Sequence, residues 1–164
     1  MGLHHNYSVN FNINPPPPAS SSVSISFSSH FLSQVGLNLQ VVASTASADL
    51  QNPTFDKKMA ASEIVMAHFD TGASKTSISI ELAKRLKLIP IGSYKSFTAA
   101  GPTISQSFAI DLLFPFANLM PFINLSIGSC NLTGQNFDVL LGRDVMSRWN
   151  IVWNGPTSTV FIND

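Results

Sequence analysis

Past residue 30 the chain breaks into short apolar runs divided by turn residues. Leu37, Leu39 and Val41 alternate with Asn38 and Gln40, the two-residue period of a strand with one buried face. Residues 45–60 are a polar stretch containing Pro53 and read as a loop. Residues 63–69 are mostly apolar and run straight into Asp70-Thr71-Gly72. Residues 94–99 and 105–114 flank Ala100-Gly101-Pro102, a hairpin signal. Residues 122–127 alternate, 137–141 are a continuous apolar run, and 150–153 are set to pair with 159–162 across Asn154-Gly155-Pro156. Only residues 79–88 carry helical spacing. Ser79 stands as N-cap, Glu81 suits the first turn, Leu82 and Leu86 share a face, and Pro90 and Gly92 stop it. One helix among about eight strands predicts an all-β domain, a small barrel or a sandwich.

Charge and composition set the first stretch apart. The nine basic and nine acidic residues all lie between Asp49 and Asp164. Before them come an Asn-rich segment at 6–14, the run Pro15-Pro16-Pro17-Pro18 and a Ser-rich segment at 20–29. Proline runs favour extended polyproline II, and such polar sequence has too little apolar surface to offset the entropy of ordering. Residues 1–30 therefore read as a disordered Asn/Pro/Ser-rich leader and residues 31–164 as one folded domain. Val23, Ile25 and Phe27 are spaced for a short edge strand within that leader.

Several function classes drop out. Balanced charge removes the electrostatic case for a nucleic-acid or anionic-membrane partner. Cys130, the single cysteine, can form neither an internal disulfide nor a cysteine-based metal site. Residues 1–14 lack the basic start and continuous apolar core of a signal peptide, and Asn6 stands where a myristoylation pattern begun by Gly2 needs Ser or Thr. Residues 108–127 are long enough to span a bilayer but contain Asp111. A carboxylate at mid-membrane costs about 2.5–3.5 kcal/mol, so two strands joined by a Pro-containing loop are expected instead. A cytoplasmic location fits these features.

The chemistry concentrates at Phe69-Asp70-Thr71-Gly72-Ala73-Ser74. An acid after an apolar strand, followed by a small hydroxyl residue and a glycine, can project a carboxylate from a tight turn, and Gly72 supplies backbone freedom and close approach. Alone, the tripeptide fits an Asp capping a turn better than a catalytic acid. A second pattern lies about 70 residues on: Phe137-Asp138-Val139-Leu140-Leu141-Gly142-Arg143-Asp144-Val145-Met146. In this order, with the hairpin around Gly101 between them, the two resemble the retropepsin-like aspartic proteases, the family of retroviral proteases and their bacterial and retroelement relatives. The resemblance covers about residues 32–164 and implies a retropepsin-like β-barrel half with one helix and a flap hairpin.

Among the aspartates only Asp70 precedes a Thr-Gly or Ser-Gly pair, so the chain carries half of a catalytic pair. The resemblance implies an aspartic endopeptidase that works as a homodimer on a peptide or protein substrate, with no metal or other cofactor. Two carboxylates about 3 Å apart share one proton, one activating water as base and one acting as acid toward the amide. A twofold axis through the active site supplies both. By the same resemblance Asp70 is the catalytic acid/base, Thr71 bonds across the interface, Gly72 offers its carbonyl to the substrate backbone, and Ala73 and Ser74 complete the active-site loop. Residues 99–103, including Ala100 and with Gly101 at the tip, become the flap over an extended peptide. Gly142 and Arg143 become the supporting loop. Many retroviral members carry an acid where this chain has Ser74, so an ion pair from that position to Arg143 is missing.

His68 shares a strand face with Asp70, at a position the resemblance makes an aliphatic pocket residue. It reads either as a buried neutral histidine bonded to backbone, or as a cation at low pH that stabilises ionised Asp70 and favours acidic or polar side chains in the adjoining subsite. Arg143 reads as a structural donor to backbone carbonyls, Trp149 and Trp153 as core or interface aromatics, Cys130 as a small apolar filler, and His4 and His5 as solvated tail. Two further readings remain open. One is a retropepsin-like dimerisation or peptide-binding module with little or no proteolysis; the other is an unrelated β-sandwich in which Asp70 caps a turn.

Overall fold

The computed structural model describes residues 8–10, 22–26, 36–54, 56–98, 101–117 and 119–164. Two short strands come first, β1 (Ser8–Asn10) and β2 (Ser22–Ser26). The antiparallel pair β3 (Asn38–Thr45) and β4 (Ser62–Phe69) follows, with helix α1 (Ser47–Gln51) and a 3-10 turn (Lys57–Met59) in the connection. Then come β5 (Ser77–Ser79), α2 (Ile80–Arg85), β6 (Gly92–Thr98), β7 (Gly101–Phe114) and β8 (Leu119–Cys130). The chain closes with β9 (Val139–Leu141), α3 (Arg143–Met146), β10 (Asn150–Asn154) and β11 (Thr159–Asn163).

Hydrogen bonds run from neighbour to neighbour through β3-β4-β9-β5-β8-β7, and β3 returns to pair with β7 from Val42↔Leu113 to Thr45↔Ile110. The ring closes into a six-stranded barrel, which settles barrel against sandwich, and closure removes free sheet edges. Strand β6 hangs on β7 alone as the outer arm of a hairpin. Alternation fills the interior: Leu39, Val41 and Ala43 of β3, Val65 and Ala67 of β4, Ile110 and Leu112 of β7, Ile127 of β8, Val139 and Leu141 of β9 are all buried. Each fully buried aliphatic side chain contributes about 1.5–3 kcal/mol. Leu82 of α2 and Leu86 just after it are buried in the same core, and Trp149 packs edge-on against Phe114 and Phe122 at ring separations of 5.1 and 5.7 Å.

A second sheet, in the order β1-β2-β11-β10, joins Ile25 to Val160 in register. Two segments of the presumed leader are thus strands, β2 falling on the alternation at Val23 and Ile25; His4, His5 and the other remaining residues of 1–30 lie outside the described ones. The helix expected over 79–88 ends early, with Leu86 as its C-cap and Lys87 turning the chain at φ +52°. Residues 108–127 form most of the β7–β8 hairpin, and no helix among the described residues is long and apolar enough to cross a membrane.

Candidate active site

Strand β4 delivers Asp70 beside β9. Its amide donates to the Leu141 carbonyl at 3.0 Å, extending the parallel β4–β9 pairing by one residue. The chain then turns at once, Ala73 N donating to the Asp70 carbonyl at 3.2 Å and Gly72 N to Asp70 Oδ1 at 2.8 Å. That second bond aims the carboxylate. A Cβ on residue 72 would stand 3.0 Å from the same oxygen, so space rather than backbone angle selects glycine: Gly72 is not among the positive-φ residues. Asp70 and Ala73 are half-buried, whereas Thr71, Gly72 and Ser74 are exposed.

A second loop grips this turn from behind. Arg143 Nη1 donates to the Thr71 carbonyl at 2.6 Å and to the Gly72 carbonyl at 3.2 Å, and Arg143 N donates to the Ala73 carbonyl at 2.9 Å. The guanidinium therefore serves as a structural donor to carbonyls, taking no partner at Ser74. The Gly72 carbonyl, expected to face substrate, already accepts one bond and keeps a second lone pair. Deeper in, the wholly buried Thr76 donates its hydroxyl to Asp144 Oδ1 at 2.7 Å and its amide to both carboxylate oxygens. The same hydroxyl accepts from Gly142 N at 3.0 Å. Thr76 escaped the sequence reading, which quoted Asp144 in the second pattern but gave it no role. Asp144 directly follows Gly142-Arg143 in the first turn of α3, a position where the helix dipole favours an acid, and that was the available signal.

His68 stands on the β4 face that also carries Met66, opposite the buried Val65 and Ala67. Its Nδ1 lies 2.8 Å from Asn38 Oδ1, and its ring stacks on Phe137 at 4.7 Å. The partner is a side chain, not the expected backbone group. Burial pushes the imidazole below its usual 6.5, while the negative charge of Asp70 pulls the other way. In the hairpin, Gly101 (φ +109°) pairs with Thr98 and so opens β7 instead of standing at the tip; Ala99 and Ala100 lie outside the described residues. An open groove of about 560 Å³ runs along this hairpin, lined by Ser93, Tyr94, Lys95, Pro102, Thr103 and Ile104. Cys130 is half-buried, its thiol pushed up to about 11 by desolvation, as suits a packed apolar filler.

The aspartyl protease family profile matches residues 62–145, which span both the Asp70 turn and the Gly142 loop. The chain belongs to the aspartyl protease family. Among solved structures, this family member is similar to a retropepsin-like aspartic protease from Rickettsia conorii at TM-score 0.53 and 15% identity, over 98% of this chain and 96% of that one. It is also similar to the retroviral protease-like domain of Ddi1 from Leishmania major at TM-score 0.38 and 14% identity, over 72% and 82%. The first of these shows the fold to be retropepsin-like. No curated protein matches the chain.

Proposed function

We propose that this aspartyl protease family member is one half of a homodimeric endopeptidase whose paired Asp70 carboxylates activate water. One carboxylate takes a proton from the water as its oxygen bonds to the scissile carbonyl carbon. The other, protonated, supports the developing oxyanion, and a proton then passes to the leaving nitrogen as the C–N bond breaks. The exposed Thr71 reaches across the twofold axis to its mate, Gly72 and the hairpin around Ala100 and Gly101 hold the peptide backbone, and His68 lines the pocket beside the scissile bond. The observation that carries this function is the Asp70 turn, a half-buried carboxylate aimed by Gly72 N and clamped through Arg143, Thr76 and Asp144. Such rigidity keeps a reacting group in place before substrate arrives.

The test is cleavage of a denatured protein and a peptide library between pH 3 and pH 7, wild type against Asp70→Ala. Cleavage lost in the variant, blocked by a statine-type mimic and indifferent to chelators supports the proposal. Cleavage that survives in Asp70→Ala, or that a chelator stops, overturns it. Peptide retention without cleavage assigns the chain to a binding module.

A further inference from the structure

Lys75 ends the loop that Asp70 begins, and its side chain leads away from the supporting loop. The main chain of Lys75 and Thr76 abuts Gly142 closely, whereas the Lys75 ammonium sits over the Tyr94 ring of β6, 4.7 Å from its centroid. Its other partner is Ser126 Oγ of β8 at 3.4 Å. Lys75 thus bridges the catalytic loop and the base of the hairpin, the two elements that would bound a bound peptide. Tyr94 is itself fixed. Its hydroxyl fills the notch left by Gly128, where a Cβ would stand 1.9 Å from that oxygen. Tyr94 also lines the hairpin groove together with Lys95.

The electrostatics of this spot are unbalanced. Among the described residues the recorded ion pairs are those of Arg85 with Glu63 and Asp138, and the half-buried Lys75 makes none. An aromatic face and a hydroxyl hold the ammonium in place but carry no formal negative charge to balance it. A carboxylate arriving along the peptide completes the set, and because Tyr94 already holds the ammonium, little ordering is lost on pairing. We infer that Lys75 is a specificity residue that selects an acidic side chain, Asp or Glu, at one substrate position near the scissile bond. This rests on the peptidase proposal for its cleavage form, but its binding form does not.

The experiment uses the full chain and a decapeptide library randomised on both sides of a cleavable centre, with products sequenced by mass spectrometry. Wild type is expected to enrich Asp and Glu over Asn and Gln about fivefold at one position, in keeping with a solvent-accessible ion pair. Lys75→Gln is expected to erase that ratio, Lys75→Arg to keep it and Lys75→Glu to reverse it toward Lys and Arg. An acidic preference that persists in Lys75→Gln, or cleavage by wild type with no preference, overturns the inference. In parallel, peptides retained by Asp70→Asn are compared with those retained by Asp70→Asn/Lys75→Glu at pH 7.5, above the lowered range of His68. A charge bias that reverses supports Lys75 recognition even where the wild type cleaves nothing, a result that would count against the peptidase alone. No bias, or no peptide retained, overturns it.

Discussion

A Cβ on Gly142 would lie 2.5 Å from the Lys75 carbonyl carbon and 2.7 Å from Thr76 N, both main-chain atoms that cannot swing aside. The φ of Gly142 is −92°, which any residue adopts, so the requirement comes from how closely the supporting loop presses on the Asp70 loop. Gly142→Ala should therefore force the loops apart, costing about 1–3 kcal/mol of stability and most of the activity, read as a lowered thermal midpoint and a lowered kcat. At His68 the relevant quantity is the proton. The unfolded imidazole takes one near its ordinary 6.5, whereas the folded ring, desolvated against Phe137, holds out to lower pH. Between those two values the unfolded state binds more protons, so stability falls as pH drops below 6.5. His68→Gln keeps a donor for Asn38 and removes the titration. Its thermal midpoint should fall less than that of wild type between pH 7.5 and pH 5. Coincident slopes would refute desolvation as the cause. The lowered value also confines any cationic action of His68 on Asp70 to pH below the ordinary imidazole range.

Elements that carry their own signals could be read from the chain, and those stabilised from afar could not. Ser79 caps α2 by accepting from Leu82 N at 2.9 Å, a bond between residues three apart, and the helix was expected there. Helix α1 has no such local cap: Ala46 offers no side chain, and the work falls to Asp111, 64 residues on. The Asp111 carboxylate accepts from Ser47 N at 3.1 Å, from the Ser47 hydroxyl and from Asn124 N at 2.8 Å. It reaches them because the β7–β8 register shifts between Ile110 and Leu112 while Asn124 adopts φ +55°. The same logic hid the Thr76–Asp144 bond and strand β5, a three-residue element held only by its neighbours β8 and β9. By contrast, Asp70-Thr71-Gly72 and Gly142-Arg143-Asp144 are contiguous motifs and stood out at once. Asp111→Ala leaves those part-buried donors without their acceptor and should destabilise the fold by about 1–3 kcal/mol, measured by urea unfolding, whereas Asp111→Asn, which retains one acceptor, should cost less. Equal losses would show that Asp111 acts by packing alone.

At the scale of the whole molecule, the proposed function makes activity a property of pairs, because each chain carries one Asp-Thr-Gly. Two carboxylates that share a proton lose function when both ionise, so hydrolysis should peak in mildly acidic solution and fade toward alkaline pH. Specific activity should also rise with concentration near the dimer dissociation constant, since dilution leaves single aspartates. Mixing is the sharper measurement, because it separates a shared site from a site complete in each copy. If wild type and Asp70→Asn chains associate equally well, an equimolar mixture holds about one quarter wild-type pairs, one half mixed pairs and one quarter mutant pairs. Mixed pairs carry one ionisable carboxylate and cannot divide the roles of base and acid between two. Activity at fixed total protein should then fall to about one quarter of the unmixed wild type once the subunits have exchanged, and follow the square of the wild-type fraction across a titration. A linear fall, with half the activity left at equal mixing, would mean that each copy cleaves alone with its single Asp70, and the twofold active site would have to be abandoned.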